Sequence, residues 1–320
     1  MTMQSFEADF GRGQAVFHRF YSSDASTEND ASHSNKEKTP LHFFSANGLP
    51  AASYDFFLSQ FSDQYDVCAL EHRGVWPSRE LPDKRLDWRQ HVDDLIAFLD
   101  SDGRAPYIGM GHSLGAWCTA VAASKRPDLF SRVILIDPAT LPLRILAFGM
   151  RNFSRLAYKV PLVKGTAARR QYWNSREEFA QSMATKAAYK RFSKTALQSY
   201  AEHGLVAFEG ELEQLPLEQQ GNPPKFTLRY RREWEAHNYS KTPYIWARLK
   251  KVKCSALMLC AEQSYLYSKR SFAKGMAKMP DNVEGAILGG LSHLAPQENP
   301  EQVAEQVLAW LLAAETSATS

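Results

Sequence analysis

The sequence predicts an α/β protein with a mostly parallel sheet and helices on both faces. Three observations carry this. Short strand-like runs alternate with amphipathic helical stretches in the first and last parts of the chain. The 320 residues, 44% of them hydrophobic, allow one large core with an insertion. The alternation stops over residues 141–250 and then resumes. The core is therefore expected to be 1–140 together with 251–320, with 141–250 forming a helical cap inserted after the sixth of eight strands.

Gln14 to Tyr21 is β-like, and Ser5 to Phe10 is expected to pair with it across Gly11-Arg12-Gly13 as a hairpin. Residues 22–38 run through Ser, Asp, Asn, Glu and Lys with no apolar residue larger than Ala. Such a stretch cannot bury a face and reads as a long loop within the hairpin region. Leu41 to Phe44 is a short strand, followed by Asn47-Gly48-Leu49-Pro50, a helical pattern over Tyr54 to Phe61, and a strand over Tyr65 to Leu70. Trp88 to Asp100 places Val92, Leu95, Ile96 and Leu99 on one helical face. Tyr107 to Met110 reads as strand, Ser113 to Lys125 as helix, and Arg132 to Ile136 as buried strand. After the interruption come strand Ala256 to Cys260, helix Ser268 to Lys278, strand Val283 to Leu288 and helix Pro300 to Leu312.

Bulk chemistry narrows the function. A net charge of +3 gives no footprint for nucleic acid. No apolar run reaches the roughly 18 to 20 residues of a membrane span. The first ten residues carry Glu7 and Asp9 and lack a basic segment followed by an apolar one, so no signal peptide is expected. Cys68, Cys118, Cys254 and Cys260 sit in apolar stretches without CxxC spacing. They read as thiols in a reducing compartment, which places the protein in the cytoplasm.

The chemistry-bearing motif is Gly109-Met110-Gly111-His112-Ser113-Leu114-Gly115, between a strand and a helix. It fits G-x-S-x-G at Gly111, Ser113 and Gly115. That pattern puts a serine on a sharp strained turn, with small neighbours so that strand and helix can approach. A dinucleotide fingerprint fails here, because its third glycine would fall at Leu114.

Gly-His-Ser-Leu-Gly resembles the nucleophile elbow of the α/β-hydrolase superfamily. Asn47-Gly48-Leu49-Pro50 resembles the family's oxyanion turn after the third strand, and Glu71-His72-Arg73-Gly74, ending at Ser78, resembles its D-x-R-G-x-G-x-S segment. Ser45-Ala46-Asn47-Gly48-Leu49-Pro50-Ala51 is similar to the H-A-N-G-F-P-A stretch of a bacterial hydrolase subfamily related to a fungal peroxisomal lipase. Two positions depart. Ser45 replaces a His, and Trp76 replaces a Gly, which is expected to put a bulky ring near the site entrance.

The resemblance implies an α/β-hydrolase fold with Ser113 as nucleophile. It implies His293, in Gly289-Gly290-Leu291-Ser292-His293-Leu294, as general base. His112 competes only by adjacency. The acid is open: Ser264 in Cys260-Ala261-Glu262-Gln263-Ser264 stands where relatives carry Asp. Asp137, closing Val133-Ile134-Leu135-Ile136, is the first substitute, because some relatives supply the acid from this strand end. Glu262 is the alternative, and Glu235 in the cap a third. The backbone N–H groups of Leu49 and Leu114 are the expected oxyanion donors, worth about 2.7–4 kcal/mol each. Gly48, His112 and Trp76 are expected to border the substrate.

The implied reaction is hydrolysis of a carboxylic ester or thioester of a hydrophobic acyl substrate through an acyl-enzyme, with no cofactor and no metal. Acyl transfer, carbon–carbon bond hydrolysis and a non-catalytic ligand-binding role on the same fold are the alternatives. From Leu141 to Arg170 there are seven Lys or Arg and no Asp or Glu. As one helix this stretch would set Arg144, Arg151, Arg155 and Lys159 opposite Ile145, Phe153, Leu156 and Val160. Its readings are a solvated cap helix, or contact with an anionic membrane surface or acidic substrate. Gly204, Gly210 and Gly221-Asn222-Pro223-Pro224 are candidate hinges.

Overall fold

The computed structural model describes residues 2–22, 38–78, 80–210, 215 and 223–318. The expected loop over 22–38, apart from its two ends, and Gly221 and Asn222 of the candidate hinge lie outside them.

Eight strands form the main sheet: β1 (Thr2–Asp9), β2 (Gln14–Tyr21), β3 (Thr39–Phe44), β4 (Tyr65–Leu70), β5 (Tyr107–His112), β6 (Phe130–Ile136), β7 (Ser255–Gln263) and β8 (Val283–Ser292). Their order is β1-β2-β4-β3-β5-β6-β7-β8. The pairs β1/β2 and β2/β4 are antiparallel and the others parallel. The β1–β2 turn is closed by Asp9, whose Oδ1 accepts the N–H groups of Gly11 (2.8 Å), Arg12 (3.2 Å) and Gly13 (3.3 Å).

β4 and β5 are buried along their whole lengths, which is why they read as unbroken apolar runs: a parallel strand with helices on both sides has no wet face. On one side the helices Arg89–Asp102 and Leu114–Lys125 bury Val92, Leu95, Leu99, Trp117 and Val121. On the other, the helices Asp55–Leu58 and Pro300–Ala318 bury Phe57, Leu58, Val303 and Val307. The predicted helix over Tyr54 to Phe61 is a 3₁₀–α–3₁₀ succession. The chain passes from β3 to β4 on one side and to β5 on the other. That reversal lies at the carboxyl ends of β3 and β5, the place where ligands bind in open α/β sheets.

Between β6 and β7 the chain leaves the sheet. The segment contains the helices Arg144–Asn152, Ser154–Ala157, Pro161–Ala167, Arg176–Ala184, Lys194–His203, Arg232–Ser240 and Trp246–Leu249. It also holds a small antiparallel sheet, Tyr172–Trp173 and Leu205–Ala207 flanking Phe226–Leu228. Strands of two and three residues are too short to show alternation, so the sequence pattern reads as helix and loop there. The basic stretch is not one helix: it breaks at Phe153, which leaves helical geometry, and again before Pro161, which opens the next helix.

Candidate active site

Ser113 caps the helix Leu114–Lys125 with φ 54° and ψ −111°. Ser113 and Asp137 (φ 39°) are the two non-glycine residues with positive φ among the described residues. Each such conformation costs about 1–3 kcal/mol and persists only where its surroundings enforce it. At Ser113 they do. Its N–H donates to Ile136 O (3.0 Å), and its carbonyl accepts from Trp117 N (3.2 Å) and Ala139 N (2.9 Å). The turn is thus stitched to the end of β6. The flanking glycines leave room for nothing larger. A Cβ on Gly111 would lie 2.5 Å from the Gly115 carbonyl carbon, and one on Gly115 would collide with Phe44 O.

His293 follows β8 and bridges the other two groups. Ser113 Oγ donates to His293 Nε2 at 2.9 Å, and His293 Nδ1–H donates to Asp137 Oδ2 at 2.6 Å. Asp137 is fully buried. Its Oδ1 accepts the Ala261 N–H (3.0 Å) and its Oδ2 also accepts the Ser264 hydroxyl (2.7 Å). A buried carboxylate with three donors is held in one orientation. The position that lacks the relatives' Asp therefore holds a hydroxyl tethering the carboxylate that arrives from the neighbouring strand. Glu262 is elsewhere: its carboxylate binds Lys269 Nζ (2.6 Å) and the Gly290 N–H (2.8 Å) at the surface.

The oxyanion turn differs from expectation at Leu49. Ala46–Leu49 is a β-turn closed by Leu49 N–H to Ala46 O (3.3 Å), with Gly48 at φ 81° in the position where a type II turn demands it. The Leu49 N–H is spent inside the turn. The Ala46 N–H goes to Tyr54 Oη (3.4 Å). Among the described residues the Asn47 N–H of the turn has no hydrogen-bond partner. Leu114 N–H, first in its helix, lies outside the intrahelical ladder.

Two residues expected beside the substrate are structural. His112 is fully buried and donates from Nε2 to the His293 carbonyl (2.7 Å), while Nδ1 accepts from Tyr54 Oη (2.8 Å). A carbonyl only accepts, which fixes this tautomer. Burial depresses its pKa to about 3, so it stays neutral as a strut between the oxyanion loop and the histidine loop. Trp76 is not at an entrance. It is buried beneath the β1–β2 hairpin, edge-on to Phe10, with Arg73 4.8 Å over its ring and Nε1 donating to Glu71 O (2.7 Å). Gly48 is close-packed rather than open, since a Cβ there would come within 2.6 Å of Glu235 Oε1.

Sequence reasoning missed the supports around the turn. Buried Glu71 accepts the N–H groups of Ala51 (2.7 Å) and Ala52 (3.2 Å), fixing the turn's exit. His72 Nε2 donates to Ser45 O (2.9 Å), so an imidazole serves the site despite Ser45. Arg73 makes two 2.6 Å bonds to buried Asp94. The Glu-His-Arg motif carried the signal, but its three targets are distant in sequence. From the inserted segment, Asn47 Nδ2 donates to Glu235 O (3.0 Å) and Glu235 pairs with Arg169 (2.5 Å), with burial pushing the Glu235 carboxyl up. The Tyr265 ring stands 4.8 Å from that of His293.

Chemically, a hydroxyl on a strained turn, an imidazole positioned to take its proton and a fixed carboxylate behind can perform nucleophilic attack on an acyl carbon. Among the described residues no group of three or more His, Cys, Asp or Glu is placed to hold a metal ion, and no helix is long and apolar enough to cross a membrane. All four cysteines are free.

The chain is similar to an abhydrolase domain-containing protein, AFT2-1, of Alternaria alternata: 24% identical over 236 residues, covering 64% of this chain and 83% of that protein. Its fold matches the crystal structure of E-2-(acetamidomethylene)succinate hydrolase, with a TM-score of 0.74 at 18% identity over 97% and 99% of the two chains. It also matches the peroxisomal α/β-hydrolase Lpx1 of Saccharomyces cerevisiae, with a TM-score of 0.72 at 14% identity over 100% and 90%. The model of the alpha/beta hydrolase family matches residues 42–306, well over half of the sequence, and the chain belongs to that family.

Proposed function

We propose that the protein is a serine hydrolase that cleaves carboxylic esters or thioesters of a hydrophobic acyl group. The observation that carries this is the single imidazole joining Ser113 Oγ at 2.9 Å to Asp137 Oδ2 at 2.6 Å. His293 accepts the Ser113 proton as Oγ attacks the carbonyl carbon. Asp137 holds the Nδ1–H tautomer and stabilises the imidazolium. The oxyanion is taken by the N–H groups of Leu114 and Asn47, the latter replacing Leu49 because the Leu49 N–H is already bonded. Collapse expels the alcohol or thiol, protonated by His293, and water repeats the sequence on the acyl-enzyme. Residues 141–250 act as the cap over this site, with Glu235 and Tyr230 bearing on the oxyanion turn.

The test is labelling with a fluorophosphonate, read by intact mass on wild type and Ser113→Ala. One adduct in the wild type and none in the variant supports the reading. No adduct on folded wild-type protein would favour the non-catalytic, ligand-binding alternative.

A further inference from the structure

Seven of the thirteen large apolar side chains exposed among the described residues fall between Leu143 and Leu162, so the exposure is concentrated in one stretch of the inserted segment. The helix Arg144–Asn152 buries no residue at all. Ile145 is 74% exposed, Phe148 and Leu156 63% and Phe153 58%. A folded protein does not leave such a cluster in water without a use.

The same stretch is cationic. From Leu141 to Arg170 there is no acidic residue. Arg144 and Arg151 of this helix line a cleft of about 510 Å³ shared with Arg89, Lys241, Arg248 and Lys251. Its one acid, Asp87, is already bonded to Arg89 (2.9 Å) and Arg151 (2.7 Å). An adjoining cleft of about 480 Å³, reached past Arg144 and Tyr244, adds Lys250, Lys274 and Lys278 and no acid.

We propose that the edge Leu143–Leu162, with the basic clefts beside it, docks the protein on the surface of an anionic lipid layer. Lipid satisfies both observations at once. Headgroup phosphates meet the cations, and the glycerol–acyl boundary receives Ile145, Phe148, Phe153 and Leu156. A second copy of the chain fits less well, because a two-fold contact through this edge would set the acid-free segment of one copy against that of the other. The inference does not depend on the proposed hydrolysis. Lipid binding is measured without turnover, so the two ideas fail separately.

The test is flotation with vesicles of phosphatidylcholine containing about one-third phosphatidylglycerol, against phosphatidylcholine alone. Wild type should bind the anionic vesicles at least about tenfold more tightly, and raising salt from about 0.05 to 0.5 M should release it. Two double variants follow, Ile145→Ser with Phe148→Ser and Lys250→Glu with Lys274→Glu, the latter pair from the adjoining basic cleft. Each should lose about tenfold or more in vesicle affinity while keeping its melting temperature and its rate on a short water-soluble ester. Equal or absent binding to the two vesicle types, or unchanged binding by both variants, would overturn the proposal. So would a wild-type dimer in sedimentation that the apolar variant dissolves, or retention on an acidic polypeptide without retention on vesicles.

Discussion

Asp137 and Leu143 are close neighbours in the chain, yet the two regions they open are built in opposite ways. At Asp137 the backbone is forced to positive φ, the side chain is fully buried, and both carboxylate oxygens accept hydrogen bonds, three in all, from two separate segments. From Leu143 onward the helices are short, apolar side chains face water and the nearby cations line open clefts. The first region spends conformational freedom on one arrangement of three reacting groups. The second keeps its surface free for something outside the molecule. Substitutions should therefore act on chemistry in the first region, and on association, with little effect on chemistry or stability, in the second.

The largest effect belongs to the imidazole. His293→Gln should lower kcat/KM on a soluble ester by about 10⁴-fold or more, because proton transfer and tautomer control are lost together. Near-wild-type turnover would dissolve the distinction between the two regions.

Acid should destabilise the tightly built region next. Burial depresses His112 and His42 to about 3 and His237 to about 4. Their ordinary value is near 6.5, so between there and the depressed values the unfolded chain binds more protons. The stabilisation is thus fully present above pH 6.5 and is lost as pH falls toward 3–4. Unfolding free energies from urea titrations at pH 7 and 4.5 should differ by about 2 kcal/mol per buried histidine. His112→Gln, which keeps a donor toward the His293 carbonyl, should remove one histidine's share of that dependence.

Ser264→Ala removes one of three donors from the Asp137 carboxylate and should lower kcat/KM by about tenfold, the worth of one charge-assisted hydrogen bond. The smallest effect is expected at the open edge. Phe148→Ser should change unfolding free energy by less than about 0.5 kcal/mol in calorimetry, since its side chain is already 63% exposed.

The fold and the serine turn are legible in sequence because each depends on local pattern: buried apolar runs, helical periodicity, and glycines on both sides of Ser113. Asp137 is legible only as one of several carboxylates, through its place at a strand end and the serine at position 264. The rest depends on contacts between distant segments. Nothing local says that the Leu49 N–H closes a turn, that Trp76 folds under the hairpin, or that Glu71 fixes the exit of the oxyanion loop. The break at Phe153 is similarly hidden, because the apolar spacing continues across it and only the backbone stops.

The central claim is that the end of β6 supplies the acid of the site. It is tested most directly by kcat for Asp137→Asn beside Glu262→Gln on one water-soluble ester. The account predicts a loss of about 10³–10⁴-fold for Asp137→Asn, with the Ser113 turn still folded, and a change within about twofold for Glu262→Gln, whose carboxylate sits in an exposed ion pair. Asp137→Asn at near-wild-type kcat together with an inactive Glu262→Gln would contradict it.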